Sequence, residues 1–183
     1  MAAAVGNSAK VIKQLLTAGA EPYAQDTKDG FTALQLAAHC GNALALRTLL
    51  DHDVEIPRST AKDWNPLALA LRHASYDAAE VLLDAGVDVN APQPLGRVTP
   101  LSFAASYGNA AIVARLLALG ADPHVKDRSG ATALDTARRS MSTTPSRRTE
   151  YEEIVRRLEA AQTGKWLPRI RGAFRRSLRF LRR

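Results

Sequence analysis

Catalysis in this 183-residue chain would have to draw on four histidines, one cysteine and 18 Asp and Glu residues. The histidines are His39, His52, His73 and His124, and they do not recur at metal-ligand spacing. Neither H-E-x-x-H nor C-x-x-C occurs, and no glycine-rich loop has the form that cradles phosphate. Cys40 stands alone at a helix–turn position, and a lone cysteine is a weak signal for a nucleophile. No pair of carboxylates suggests hydrolytic acid–base work. The expectation is therefore no enzyme, no cofactor and no metal.

Charge is the first positive signal. The net charge is +7. Eight of the 25 Lys and Arg lie between Lys165 and Arg183, a segment without acid, and the remaining 17 face 18 acids. The basicity thus belongs to the tail. At 100° per residue, Trp166, Leu167, Ile170, Ala173, Phe174, Ser177, Leu178, Phe180 and Leu181 share one arc of about 160°, and every Arg lies outside it. Such a basic amphipathic helix can lie on an anionic membrane with its arginines on phosphates. It can also dock in a partner's groove, or cover an open end of the rest of the fold. The contact residues expected there are Trp166, Ile170, Arg171, Phe174, Arg175, Leu178, Arg179 and Leu181. Nucleic acid is disfavoured, because aromatic and polar readers of bases are missing.

The elements that would position any site are clearest in Val98–Pro123, VTPLSFAASYGNAAIVARLLALGADP. Thr99 is placed to cap a helix and Pro100 to sit at its first position, where a missing N–H costs nothing. Gly108 ends that helix. Ile112, Val113, Leu116 and Leu117 form the apolar stripe of a second helix, and Gly120 and Pro123 stop it. The unit recurs. Thr32, Asn65, Thr99 and Thr132 open equivalent helices, at separations of 33, 34 and 33 residues. The second helices end in Leu15-Leu16, Leu49-Leu50, Leu82-Leu83 and Leu116-Leu117. A fixed period of this length is the signature of a solenoid.

In TPLSFAA, GNAAIVARLL and LALGADP the chain resembles the ankyrin-repeat family. The resemblance implies an all-α solenoid of stacked helix-turn-helix pairs with β-turn finger loops. The repeat domain is expected over 1–162, with a partial first repeat at 2–22 and repeats at about 30–56, 63–89, 97–123 and 130–162; an insertion falls near 140–149 and the tail is 163–183. The insertion, SMSTTPSRRT, is polar and holds a proline, so a mobile loop is expected, with a helix resuming at Tyr151. Asp53 stands where a glycine stops the other second helices and Ala74 where a glycine makes the turn, each expected to weaken its helix end, and Asn7 takes the turn-glycine place in the first repeat. The family's His after TPL is replaced by Gln35, Ala68, Ser102 and Asp135, which leaves open what bonds neighbouring repeats there. The first repeat lacks most of its first helix and any polar cap, although solenoid ends normally carry one.

By the resemblance, the concave face of first helices and finger tips binds a protein. The variable positions there are Lys28, Asp29, Phe31, His39, Cys40, Lys62, Trp64, Arg72, His73, Val98, Ser106, Tyr107, Arg128, Ser129 and Arg139. Trp64, Arg72, Tyr107, Arg128 and Arg139 are of the types that dominate interface energetics. The function implied is a non-catalytic scaffold or adaptor for a protein partner, and the alternative is a membrane-surface adaptor held by the tail. One cysteine cannot form an internal disulfide, so an intracellular, cytoplasmic setting is expected, with the nucleus or a membrane surface as the other settings. No segment is long and apolar enough for a membrane span, and the N-terminus does not read as a secretory signal.

Overall fold

The structure, a computed structural model, describes residues 2–6, 8–56, 64–91 and 98–164. Four first helices begin on a side-chain cap that satisfies an amide left unpaired in the first turn. Thr32 Oγ1 accepts from the Gln35 amide at 3.3 Å, Asn65 Oδ1 from Leu67 at 2.7 Å, Thr99 Oγ1 from Ser102 at 3.1 Å and Thr132 Oγ1 from Asp135 at 3.3 Å. A shorter helix, α1 (Ala2–Val5), takes the equivalent place in the first repeat. The capped helices are α3 (Ala33–His39), α5 (Pro66–Arg72), α7 (Pro100–Ser106) and α9 (Ala133–Thr143). Their partners are α2 (Ala9–Thr17), α4 (Ala43–Leu50), α6 (Tyr76–Asp84), α8 (Ala110–Ala118) and α10 (Arg148–Gln162). First helices stack as α3 on α5, α5 on α7 and α7 on α9; second helices stack as α2 on α4, α4 on α6 and α8 on α10. No strand occurs among the described residues.

Small side chains let these helices approach closely. Ala37, Ala38, Ala45, Ala70, Ala78, Ala79, Ala104, Ala105 and Ala137 are fully buried along the stack. Leu34, Leu46, Leu67, Leu69, Leu82, Leu101, Leu116, Ile154 and Leu158 fill the spaces between them. The first repeat is the exception. Ala45, Ala78 and Ile112 share one register of the second helix, and Leu49, Leu82 and Leu116 share another; all six are at most 2% exposed. Their counterparts Val11 and Leu15 are 41% and 45% exposed, because no earlier helix pair covers them among the described residues. Of the apolar residues expected to face inward on α2, only Ile12 is fully enclosed.

Side-chain bonds tie each repeat to the next. Gln35 Nε2 donates to the carbonyl of Trp64 at 2.9 Å, while its Oε1 accepts from the Thr32 amide. A glutamine thus bonds neighbouring repeats at one position where the family's histidine is replaced. Asn42 Nδ2 donates to Ala4 O and Asn90 Nδ2 to Gly120 O, while Asn65 Nδ2 donates to Asp88 O and so closes the third repeat on itself. Arg115 reaches back from α8 to Glu80 and Asp84 on α6.

The segment 140–149 corrects the sequence expectation. It is not a loop: α9 runs to Thr143, a single 3-10 turn spans Pro145–Arg147, and α10 begins at Arg148 rather than Tyr151. The cause is anchoring that polarity concealed. Met141 packs on the core, and Arg147 donates to the carbonyls of Tyr107 at 2.9 Å and Gly108 at 3.1 Å. Tyr151 OH donates to Ser106 O at 2.7 Å. The two weak helix ends take the conformation that disfavours them: Asp53 and Ala74 sit at φ 57° and 53°.

Candidate partner-binding face

The first finger is held by one carboxylate. Asp26 Oδ1 accepts from the amides of Asp29 at 3.0 Å and Phe31 at 2.8 Å, and Asp26 N donates to Phe31 O at 2.9 Å. Gly30, at φ 70°, makes the turn possible. The bond from the Phe31 amide leads in holding the Asp26 carboxyl below its ordinary value. The last finger repeats the device: Asp127 Oδ1 accepts from the amides of Ser129 at 2.8 Å and Ala131 at 3.0 Å, and from Ser129 Oγ at 2.6 Å. That hydroxyl is the main reason the Asp127 carboxyl is also lowered. Lys28, Asp29 and Arg128 are left exposed at the two tips.

Between the fingers, the ends of α3, α5 and α7 bring side chains together. Phe31 is half-buried on the core with its ring centroid 5.6 Å from that of His39. His39 meets His73 edge-on, centroids 4.4 Å apart at 71°. Arg72 lies over the half-buried Trp64 ring, its Cζ 5.2 Å from the centroid. Tyr107 OH donates to the Arg72 carbonyl at 2.8 Å, which fastens the fourth repeat to the third at this point. Partial burial first, then the neighbouring His39 and Arg72, hold the His73 imidazole below its ordinary value. Nδ1 of His39 is buried with no hydrogen-bond partner.

Phe31, His39, Trp64, Arg72, His73 and Tyr107 therefore form one run across three repeats. Arg128 and Arg139 are exposed on the last repeat, beside Arg138, which pairs with Glu159 at 2.7 Å. Ser106 and Val98 are half-buried and Cys40 is an exposed free thiol. Lys62 lies outside the described residues, as do Trp166, Ile170, Arg171, Phe174, Arg175, Leu178, Arg179 and Leu181 of the tail. Sequence reasoning missed Arg147 and Tyr151, which hold the carbonyls under the Tyr107 end of the run. They sit in or beside a polar insertion outside the repeat pattern, so no period marked them. Among the described residues no group of three or more His, Cys, Asp or Glu could hold a metal ion, and no helix is long and apolar enough to cross a membrane.

A family model described as ankyrin repeats (3 copies) matches residues 1–93, and one described as ankyrin repeats (many copies) matches residues 82–137. The E3 ubiquitin-protein ligase KEG of Arabidopsis thaliana is 36% identical over 81 residues, 44% of this chain and 5% of that protein. The tyrosine-protein kinase Shark of Drosophila melanogaster is 31% identical over 137 residues, 75% of this chain and 15% of that protein. The ankyrin repeat and KH domain-containing protein mask of the same fly is 36% identical over 104 residues, 56% of this chain and 3% of that protein. The chain spans at most 15% of the length of these relatives.

Proposed function

This chain belongs to the ankyrin-repeat family, whose repeats generally mediate protein–protein interaction, and from that premise we propose that it is a non-catalytic adaptor gripping a protein partner on its concave face. The observation that supports this reading most is the run Phe31, His39, His73, Arg72, Trp64 and Tyr107. Aromatic and guanidinium groups held in place from below, yet open from above, lose little side-chain entropy when a partner covers them. Lys28, Arg128 and Arg139 supply the rim, and Lys62 joins it by sequence position. An intracellular, cytoplasmic setting belongs to the same proposal, on the ground that the single Cys40 is a free thiol.

The test is affinity purification of partners on the full chain and on the double variant Trp64→Ala, Tyr107→Ala, followed by cross-linking to locate the contact. Loss of the main partner with the double variant, with cross-links to the first helices, is the expected result. Retention of that partner, with loss only on deletion after Gly164, would transfer the function to the tail.

A second reading has its own support. The outer face of the last repeat leaves no large apolar side chain exposed, so that end of the stack does not need the tail to close it. A basic segment released from that duty suits an anionic membrane surface, the alternative function. Vesicles rich in phosphatidylserine should sediment the full chain at low salt and release it at high salt, and should not sediment a chain ending at Gly164.

A further inference from the structure

Arg72 and His73 end α5 side by side, both exposed, at the centre of the aromatic run. The guanidinium of Arg72 rests over the Trp64 ring, a contact made through the face of the plane. Stacking of that kind leaves the in-plane N–H groups free to engage a planar acceptor by two parallel bonds. Among the described residues no carboxylate pairs with Arg72. Among the described residues the charged and titratable neighbours acting on His73 are His39 and Arg72, without an acid among them. Among the described residues the acids placed on this face are Asp29, exposed at the tip of the first finger, Asp26 beside it, and Asp127 and Asp135 in the last repeat; Asp63 lies outside the described residues. Asp26, Asp127 and Asp135 are each occupied there by backbone amides. His39 is a support rather than a contact, because its Nδ1 is buried and its ring is wedged between Phe31 and His73. The carbonyl of Arg72 is fixed by Tyr107 OH, so the backbone bearing the guanidinium is braced from the next repeat.

We infer that the partner of this face is an acidic peptide segment, which places an Asp or Glu carboxylate on the Arg72 guanidinium beside His73 and an apolar side chain on the Trp64 and Phe31 flanks. The inference rests on the groove reading above and adds the partner's chemistry to it. Charge complementarity selects this occupant. A guanidinium that no described carboxylate pairs with, flanked by an imidazole and aromatic walls, attracts a carboxylate and repels a basic segment, including the chain's own Lys165–Arg183.

The experiment uses the full chain and three degenerate octapeptide pools, fluorescein-labelled, whose fixed central residue is Glu, Gln or Lys. Fluorescence anisotropy should give binding of the Glu pool about tenfold tighter than the Gln pool, with the Lys pool weakest. Arg72→Gln should bring the Glu pool to the level of the Gln pool, while Arg47→Gln, an exposed change on α4, should leave the ratio intact. Urea unfolding of each variant guards against misreading a fold defect. Equal binding of the Glu and Gln pools, both lost with Trp64→Ala, would overturn the carboxylate assignment and leave the groove reading standing. A Glu preference that survives Arg72→Gln would overturn it too. Binding of all pools untouched by Trp64→Ala, Tyr107→Ala would bring down the groove reading itself. Displacement of the Glu pool by millimolar inorganic phosphate, but not by equal acetate, would overturn the carboxylate assignment in favour of a phosphate-bearing partner.

Discussion

Ala74 occupies the turn after α5 at φ 53°, immediately beyond Arg72 and His73, where glycine serves in the equivalent turns at Gly41 and Gly108. A left-handed conformation brings a Cβ against the backbone and costs about 1–2 kcal/mol. Ala74→Gly removes that cost. It also loosens the unfolded chain, which offsets about 0.4–1 kcal/mol. Ala74 is exposed, so its methyl takes no burial energy with it. The net expectation is a gain of about 0.5–1 kcal/mol. With a urea m-value of about 1–3 kcal/mol/M, the midpoint should rise by about 0.2–1 M without change in slope. Repeat arrays can unfold in stages, so tryptophan fluorescence and far-ultraviolet circular dichroism should be followed together. Asp53→Gly should gain less, because Asp tolerates the left-handed region better than Ala. A lower midpoint for Ala74→Gly at unchanged slope would refute the reasoning. It would mean that the alanine is stabilising a turn that glycine leaves too free.

Three further outcomes follow from burial and charge. A Cβ at Gly108 would stand 3.0 Å from Arg147 Nη2 and 3.1 Å from Tyr151 Cζ, whereas one at Gly120 meets nothing. Both have positive φ, so Gly108→Ala should destabilise by about 1–3 kcal/mol more than Gly120→Ala, read from urea midpoints. Leu49 and Leu15 share one register, but Leu49 is 2% exposed and Leu15 45%. Leu49→Ala should therefore cost about 2–5 kcal/mol and Leu15→Ala under about 1 kcal/mol, with near-equal losses counting against the exposed first repeat. His73 has a native pKa below its ordinary 6.5, so below that pH the unfolded chain binds the extra proton more readily. Stability should fall as pH drops from 6.5 toward 5, and His73→Gln should flatten part of that slope in urea midpoints measured across the window.

Where a residue obeyed the repeat, the sequence disclosed its place. Thr32, Asn65, Thr99 and Thr132 were readable as caps because an oxygen before an apolar helix can serve the first-turn amides, and period placed all four alike. The strain at Asp53 and Ala74 was readable for the same reason, since the glycine they replace was visible in the neighbouring repeats. Period could not reveal contacts made once. The stacking of Arg72 on Trp64 is made inside one repeat, and the tether from Tyr107 to Arg72 O and the grip of Arg147 on Tyr107 O each join two repeats through a single long side chain. The same limit explains the misreading of 140–149. Composition marked Ser, Thr, Pro and Arg as loop material, but Met141 and Arg147 had anchors 30 or more residues away in the case of Arg147 and in the shared core in the case of Met141.

The two ends of the stack differ in a way that bears on the tail. At the first repeat Val5, Val11 and Leu15 stand 50%, 41% and 45% exposed. At the last, α10 turns Arg148, Glu152 and Arg156 outward and ties Arg148 to Glu152 at 2.9 Å and Arg157 to Glu153 at 2.6 Å. Ile154 and Leu158 face the core and are fully buried. Gln162 Nε2 closes the helix onto the fourth repeat through the Pro123 carbonyl at 3.0 Å. Surface pairs of this kind add little energy, but they hold a polar face that gains nothing from an apolar cover. A chain ending at Gly164 should therefore unfold at the same urea midpoint as the full chain, within about 0.5 kcal/mol. Should the shortened chain lose several kcal/mol, the apolar arc of the tail would be packing on the repeats, and its free role on a membrane or partner would be untenable.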